Sequence, residues 1–261
     1  MASAASMAEL TGQRLAEAVE GALEVEVTAE GVRPWRLPSE ARRYAAPALA
    51  LMAEFSAGVR LRLLTAAPAI ELEVTVTRLL QRGTDGTAAP APFVAVVDGL
   101  EVDRAEVLDG PLVREQEDRS LLRQPGGARR LLVLRLTDAA DLVPDTPPAS
   151  PVPAGIRLVE VWLPADAGVL LHRVRASAPV RAAPPDRRPR WLHYGSSISH
   201  GGQAGSPLAT WPRLAAAALD LDGVNLGFGG NALLDPAVAR AIAAAPADLI
   251  SLEVGINVVT A

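Results

Sequence analysis

The chain has 261 residues, of which 49% are hydrophobic, and its net charge is −5 with an isoelectric point near 5.3. A chain of this length can bury a sizeable core as one large domain or two ordinary ones, and its lack of cysteine excludes disulfides and cysteine nucleophiles. Its basic residues are all scattered arginines, which argues against nucleic-acid binding, and no 18-residue apolar stretch predicts a membrane helix.

Residues 1–180 alternate between apolar and polar side chains with a period of two, which is typical of strands with one buried and one solvated face. Val59, Leu61 and Leu63 face one way, and Arg60 and Arg62 face the other. Further strands are predicted over residues 70–77, 93–98, 130–137 and 156–163, and a helical turn near 9–19. Several short strands separated by Gly, Pro and Asp predict an all-β sandwich, jelly-roll-like, as domain 1–180.

The segment 178–190 is rich in proline and charge, so it cannot pair as a central strand. It has the character of an interdomain linker, with a loop inside one domain as the alternative. This segment separates the two predicted domains.

Residues 190–261 change to a pattern of apolar strands alternating with helices. Helices are predicted after Thr210 and after Asp235, because each can cap a helix whose first turn contains proline. Strands are predicted over residues 191–194, 224–228 and 249–254. This order predicts a parallel sheet covered on both faces. Three strands and two helices are fewer than a complete doubly wound domain needs, so we expect a C-terminally truncated sequence.

The first motif with chemical potential is Tyr-Gly-Ser-Ser-Ile-Ser-His-Gly at residues 194–201, directly after a strand. Ligands of open α/β sheets bind at the carboxyl ends of strands, which is where this loop lies. A serine on such a turn, here Ser197, can expose its Oγ as a nucleophile. Taken alone, the loop equally fits a phosphate cradle or a solvated turn.

Two more strands end in residues of the same kind, namely Asn-Leu-Gly-Phe-Gly-Gly-Asn at 225–231 and Gly-Ile-Asn at 255–257. The carboxyl ends of parallel strands meet at one edge of a sheet. We therefore predict an oxyanion hole formed by the backbone N–H groups of Ser197 and Gly230 and the side-chain amide of Asn257.

These three blocks, over residues 190–258, resemble the first three signature blocks of the SGNH (GDSL-like) serine hydrolases. The resemblance implies a flavodoxin-like three-layer α/β/α domain with Ser197 as nucleophile and Gly230 and Asn257 completing the oxyanion hole. Two positions depart from the family pattern, because Ser196 and Val258 stand where the family has aspartates. The family's last block, an Asp-x-x-His that carries the general base, is absent, so the base is expected outside this sequence.

A β-sandwich fused ahead of these blocks is similar to a bacterial subgroup that includes an aromatic-acyl transferase of polyketide tailoring. Residues 25–38 and 159–164 fit the leading domain of that subgroup less specifically than the hydrolase blocks do. The resemblance leaves open whether the acyl group goes to water or to an alcohol.

Four further residues are candidates for the pocket around the nucleophile: Ser196, Ser199, His200 and Asn231. A local dyad of Ser197 with His200 is the alternative to a lining role for that histidine. His193 is expected to be packed or to face solvent, and His172 to lie on the surface. No histidine and carboxylate spacing predicts a metal site, and no cofactor is expected.

Paired carboxylates and tryptophans suggest two weaker readings of residues 1–180. The pairs Glu71/Glu73 and Glu115/Glu117 would suit a glycosidase, although alternating positions favour a solvated face. Trp35 or Trp162 could stack on a sugar, although burial is the commoner role.

The sequence therefore predicts a serine-dependent acyl-ester hydrolase of the SGNH type. The alternatives are an acyltransferase to a natural-product or sugar hydroxyl, and an inactive truncated chain whose β domain is a binding module. The expected partner is a small-molecule ester or acyl donor, and a glycan or a natural product is included among the candidates. Neither nucleic acid nor a membrane is expected as a partner. The N-terminus lacks the basic and apolar regions of a secretion signal, so a cytoplasmic location is expected.

Overall fold

The computed structural model describes residues 7–83, 86–136 and 155–259, which form a mixed α/β fold with three β-sheets. The strands are β1 Ala8–Leu10, β2 Val19–Glu20, β3 Glu24–Val27, β4 Val32–Trp35, β5 Arg60–Thr65, β6 Ala69–Leu80, β7 Ala91–Val97, β8 Leu100–Val107, β9 Leu112–Glu115, β10 Leu121–Gln124, β11 Arg130–Arg135, β12 Arg157–Trp162, β13 Ala167–Ala176, β14 Val180–Ala182, β15 Arg190–Gly195, β16 Asp222–Gly227 and β17 Leu249–Leu252. The helices are α1 Gly12–Ala16, α2 Ser39–Arg42, α3 Pro47–Glu54, α4 Ser197–His200, α5 Trp211–Ala218, α6 Pro236–Ala244 and α7 Ile256–Val259, with a 3₁₀ turn over Pro207–Ala209.

Two of the sheets lie in the N-terminal part of the chain. The larger has the order β10-β9-β6-β13-β4-β3, with β1 on β13 and β11 on β6, and the smaller has the order β14-β5-β12-β7-β8, with β2 on β5. Their pairings are antiparallel except that of β6 with β9. The apolar faces of both sheets share one core, which includes Leu61, Leu72, Phe93, Val161 and Leu171. The strands predicted from alternation overlap β5, β6, β7, β11 and β12, although the predictions for β7, β11 and β12 extend past the observed strand ends, and Thr137 lies outside the described residues.

The expectation of a wet face on β5 is wrong for Arg60, whose side chain is 1% exposed. Its Nη2 lies 2.9 Å from Glu20, 3.2 Å from Asp186 and 2.9 Å from Asp222. These three carboxylates lie within 4.8 Å of one another, as metal ligands do, and the guanidinium takes the place that a cation would have. A buried charge is tolerated here because it is paired and hydrogen-bonded.

Part of the predicted linker is a strand. β14 pairs with β5 at the edge of the six-stranded sheet, with Val180 opposite Thr65. An edge strand is the position that the proline-rich composition of 178–190 permits. The domain boundary between residues 180 and 190 stays a prediction.

The third sheet has the order β16-β15-β17, and both of its pairings are parallel, as the alternation of strands and helices predicts. Asp235 caps α6 by accepting a 2.8 Å hydrogen bond from the N–H of Ala237. α5 begins at Trp211, after Thr210, although the Thr210 side chain makes no capping bond and donates instead to the carbonyl of Pro207. Local signals thus place both helix starts.

β17 differs from the expectation of a strand covered on both faces. Its Leu249, Ile250 and Leu252 are 47%, 46% and 59% exposed. Within residues 7–83, 86–136 and 155–259, no helix or strand fully covers these three side chains. Truncation itself stays a prediction.

A second core joins the N-terminal part to the parallel sheet. Leu51 of α3 and Phe55 pack with Leu192, Leu226 and Phe228. This contact brings α3 under the carboxyl ends of β15 and β16, where the predicted nucleophile lies. Of the described helices, none has the length and apolar character needed to cross a membrane.

Candidate active site

Ser197 is the first residue of α4, on the turn that follows β15, and its side chain faces solvent. Ser196 precedes it in an extended conformation, with φ −85° and ψ −155°, so the chain turns sharply between strand and helix. Within the described part of the chain, no side chain hydrogen-bonds the Ser197 Oγ. The hydroxyl is therefore accessible to a substrate. Because Ser197 begins a helix, its backbone N–H belongs to the first turn, where N–H groups have no acceptor within the helix.

The loop after β16 lies directly against this turn. A Cβ placed on Gly229 would lie 3.8 Å from the Cβ of Ser197, so residue 229 touches the predicted nucleophile. The next residue, Gly230, has φ +69°, a left-handed conformation that favours glycine. Sequence reasoning singled out Gly230 and passed over Gly229, whose contact follows from the packing of two strand ends.

Asn225 and Gly227 hold the two loops together. The Asn225 Nδ2 donates to the carbonyl of Ser199 at 2.7 Å, and its Oδ1 accepts from the N–H of Gly227 at 2.8 Å. A Cβ on Gly227 would lie only 2.2 Å from the backbone nitrogen of His200, so α4 and the end of β16 are in backbone contact.

Asn257 contacts the same loop from its other side. Its Oδ1 accepts a 3.1 Å hydrogen bond from the N–H of Ala232, which fixes the orientation of the amide. The structure thus brings Ser197, Gly230 and Asn257 to one edge of the sheet, at the ends of three adjacent strands.

The candidate pocket residues Ser196 and Ser199 do not line the open site, because they are 1% and 0% exposed. Both point towards Glu253, which follows β17. One oxygen of that carboxylate, Oε2, accepts from the Ser196 N–H at 2.7 Å, the Ser196 Oγ at 2.8 Å and the Ser199 Oγ at 3.1 Å. Burial raises the pKa of Glu253 and these hydrogen bonds lower it, with a net value below the ordinary one. Glu253 was not predicted as a site residue from the sequence, although a carboxylate directly after an apolar strand could have indicated one.

His193 is buried behind the nucleophile turn. Its Nε2 lies 2.8 Å from the Ser199 Oγ, and its Nδ1 lies 2.8 Å from the Ser251 Oγ. Burial lowers the pKa of His193, and nearby Glu253 raises it, with a net value below the usual one. His172, expected on the surface, is also buried, because the Glu30 carbonyl and the Thr75 hydroxyl satisfy its ring.

His200 is 3% exposed, and both its ring nitrogens are engaged. Its Nε2 lies 2.9 Å from the carbonyl of Ala165, and its Nδ1 lies 3.3 Å from an Arg36 nitrogen and 3.1 Å from the Gly227 carbonyl. Burial, the largest influence, lowers the pKa of His200, and Arg36 lowers it further against the opposing effect of Asp166. A neutral ring whose Nε2–H donates to Ala165 and whose Nδ1 accepts from Arg36 fits all of these contacts except the one with the Gly227 carbonyl. Because both nitrogens are engaged away from Ser197, a structural role is favoured over a dyad with Ser197.

A cleft of about 670 Å³ opens over Ser197, Gly230 and Asn231. Both parts of the chain contribute apolar side chains to its walls: Leu51, Met52, Leu79, Leu121, Ile198 and Trp211. Polar groups of the β-rich part, including Arg82 and Arg119, line its rim. The cleft can therefore hold an apolar group beside Ser197 with a polar group further out.

The tryptophans considered for sugar stacking lie away from this cleft. Trp162 is 7% exposed and packs between Arg60 and Arg213, with guanidinium carbons 5.1 and 5.6 Å from its ring centre. Trp35 is covered by Arg42 at 3.8 Å. Cation–π packing thus occupies both rings.

A model of the GDSL-like lipase/acylhydrolase family matches residues 190–258 of this chain. No curated protein sequence matches the chain significantly. Among solved structures, the salicylyl-acyltransferase SsfX3 from a tetracycline biosynthetic pathway is similar, with 29% identity, a TM-score of 0.73 and coverage of 99% of this chain. A protein described as a GDSL-like lipase from Bacteroides ovatus shares the fold, with 19% identity, a TM-score of 0.65 and coverage of 95%.

This chain spans 64% of the length of each of those two structures. The family match coincides with the segment that carries all three strand-end motifs. Residues 190–258 thus match the GDSL-like lipase/acylhydrolase family model, the SGNH type that the sequence resembles, and the whole chain is similar in fold to both solved structures.

Proposed function

We propose that this protein is a serine-dependent acyl-ester hydrolase that works through an acyl-enzyme on Ser197. The observation that carries the proposal is the exposed Ser197 hydroxyl, which opens on the cleft directly beside the Gly229–Gly230 loop. A serine with nearby backbone donors suits attack on a carbonyl followed by stabilisation of the oxyanion.

In this mechanism the Ser197 Oγ bonds to the ester carbonyl carbon, and the carbonyl oxygen becomes an oxyanion. The N–H groups of Ser197 and Gly230 and the amide of Asn257 would hold that oxyanion. The alcohol leaves with a proton, and water then releases the acid and regenerates Ser197. The apolar walls of the cleft suit an apolar acyl group.

The proposal places the general base outside the described residues. His193 and His200 are bound to other partners, and His172 lies in the β-rich part against Thr75. A serine hydroxyl is a weak nucleophile without a base. Catalysis by Ser197 therefore needs a base that these three rings do not supply.

A second candidate is acyl transfer to the hydroxyl of a natural product or sugar. It is favoured by the similarity to SsfX3, which extends over 99% of this chain and includes the β-rich part that forms one cleft wall. Hydrolase and transferase share the acyl-enzyme and differ in the acceptor. Partitioning of a p-nitrophenyl ester between free acid and new ester in the presence of added alcohols distinguishes them.

The experiment compares ester cleavage by the full-length wild-type protein, Ser197→Ala and the control Ser39→Ala, with p-nitrophenyl acetate and p-nitrophenyl benzoate. Ser39 also is exposed and begins a four-residue helix, α2, so it matches Ser197 in local structure. We expect Ser197→Ala to fall to the buffer rate and Ser39→Ala to keep the wild-type rate. Equal rates in wild type and Ser197→Ala would contradict the proposal and favour a binding role.

A further inference from the structure

The carboxylate of Glu253 holds the nucleophile turn on both sides of Ser197. It binds Ser196, one residue before, through backbone and side chain, and Ser199, two residues after, through the hydroxyl. Three donors converge on one oxygen, Oε2, which is an arrangement that a charged acceptor favours.

A chain of hydrogen bonds on the side of Ser199 away from the cleft orients its hydroxyl towards Glu253. The Trp191 Nε1 donates to the Ser251 Oγ at 2.8 Å, and Ser251 and Ser199 flank the two ring nitrogens of His193 at 2.8 Å each. Indole N–H groups only donate and a carboxylate only accepts. The chain therefore runs in one direction, with Ser251 donating to Nδ1, the His193 Nε2–H donating to Ser199, and Ser199 donating to Glu253.

The Ser196 side chain bonds to this carboxylate instead of capping the helix that follows it. It stands at the N-cap of α4, where a serine Oγ normally accepts from a helical N–H, and it makes no such bond. Its hydroxyl donates to Glu253 instead. Gly195 permits the approach, since a Cβ there would lie 2.7 Å from Oε2 and 2.3 Å from the Ser199 Oγ.

We propose that Glu253 is a positioning residue that sets the Ser197 hydroxyl through Ser196 and Ser199, with His193 as the neutral Nε2–H link behind it. The inference rests on the proposed function, because it concerns the geometry of that same nucleophile. Glu253 touches neither the cleft nor Ser197 itself, so it acts through its neighbours.

The same strand pair offers a matched control. Asp248, before β17, accepts the N–H of Arg190 at 2.7 Å, which is the distance at which Glu253 accepts the N–H of Ser196 at the other end of β15. Asp248→Ala thus removes an equivalent carboxylate-to-amide bond far from Ser197. Glu253→Gln keeps an acceptor oxygen and removes the charge.

The test measures kcat, KM and thermal midpoint for the full-length protein with p-nitrophenyl acetate, and the backbone amide NMR signals of the nucleophile turn. We expect Glu253→Ala to lower kcat by about 10- to 100-fold, the scale of a small misplacement of a reacting group, with KM nearly unchanged. Glu253→Gln recovers part of the loss, and Asp248→Ala keeps the wild-type kcat. The Ser197 amide signal moves in Glu253→Ala and stays in Asp248→Ala.

A wild-type kcat in Glu253→Ala overturns the inference and leaves the proposed function standing. An equal loss of kcat in Glu253→Ala and Asp248→Ala, together with a lower midpoint, also overturns it, because the effect is then general. If the wild type is as inert as Ser197→Ala, the proposed function fails. In that case the amide signals still test whether Glu253 positions the turn that carries Ser197. An unmoved Ser197 amide signal in Glu253→Ala would overturn the positioning role of Glu253.

Discussion

Arg60 keeps its charge in the protein interior because carboxylates surround it. Glu160 lies 3.1 Å from its Nε, in addition to Glu20, Asp186 and Asp222 at the Nη2. These acids come from β2, β12, β16 and the segment 183–189, so the cluster ties the β-rich part to the parallel sheet. Breaking a buried pair leaves an uncompensated charge, which is strongly destabilising.

Within this cluster, the carboxyl group of Asp186 has a pKa below its ordinary value. Burial raises its pKa, the hydrogen bonds from Arg188 lower it, and the net value is about 2. Because this lies below the ordinary 3.8, Asp186 stabilises the fold fully above about pH 4, and its contribution disappears as the pH falls towards 2. We expect urea unfolding between pH 2 and 5 to show a weaker pH dependence in Asp186→Asn than in wild type. Identical pH dependence in the two proteins would contradict this assignment.

At the scale of elements, the site depends on the close approach of α4 to the end of β16. Gly227 makes the approach possible, since its missing Cβ leaves room for the backbone of Ser199 and His200. Its N–H and carbonyl also bond Asn225 and Arg36. The strand end and the helix therefore move as one unit.

Gly227→Ala tests this unit. The new Cβ would lie 2.2 Å from the His200 nitrogen and 2.4 Å from the Ser199 carbonyl carbon, so α4 must shift. We expect a fall of about 1–3 kcal/mol in the free energy of unfolding and loss of Ser197-dependent ester cleavage. Gly126→Ala, with nothing within 4 Å, is the control, and an effect of the same size there would refute the packing argument.

Across the whole molecule, Arg36 connects the β-rich part to the parallel sheet. Its guanidinium is fully buried and donates to the carbonyls of Phe55 at 2.7 Å, Gly227 at 2.5 Å and Met52. Burial lowers the pKa of Arg36 to about 9, so it is still charged at neutral pH. One of these carbonyls, that of Gly227, lies at the end of β16, where that residue is in contact with the helix that begins at Ser197.

Arg36→Met fills much of the space and leaves these carbonyls without their donor. Each unsatisfied buried acceptor costs about 1–3 kcal/mol, so we expect the free energy of unfolding to fall by about 3–5 kcal/mol. Amide exchange should quicken at β16 and α4 as well as at α3. Arg104→Met, which removes the half-exposed pair with Glu101, is expected to change stability by less than about 1 kcal/mol. Comparable losses in both variants would contradict a bridging role.

Local sequence was sufficient wherever neighbours along the chain decide the structure. Alternation predicted the strands around Leu61 and Val161, and Asp235 followed by proline predicted the start of α6. The strand-end motifs predicted Ser197, Gly230 and Asn257 at one edge, since parallel strands deliver their carboxyl ends together. These signals span a few residues, so the sequence alone determined them.

Tertiary structure decided what depends on residues far apart in the chain. Alternation assigned Arg60 to solvent, yet distant acids bury it, and Ser196 and Ser199 turn from the cleft to Glu253. The apolar β17 strand was expected to be covered and is half exposed. The sequence by itself thus predicted the turn that carries Ser197 and the strand ends that lie beside it. Only the folded arrangement decided which charges are buried and which carboxylate holds that turn, because desolvation and hydrogen bonding are set by three-dimensional neighbours.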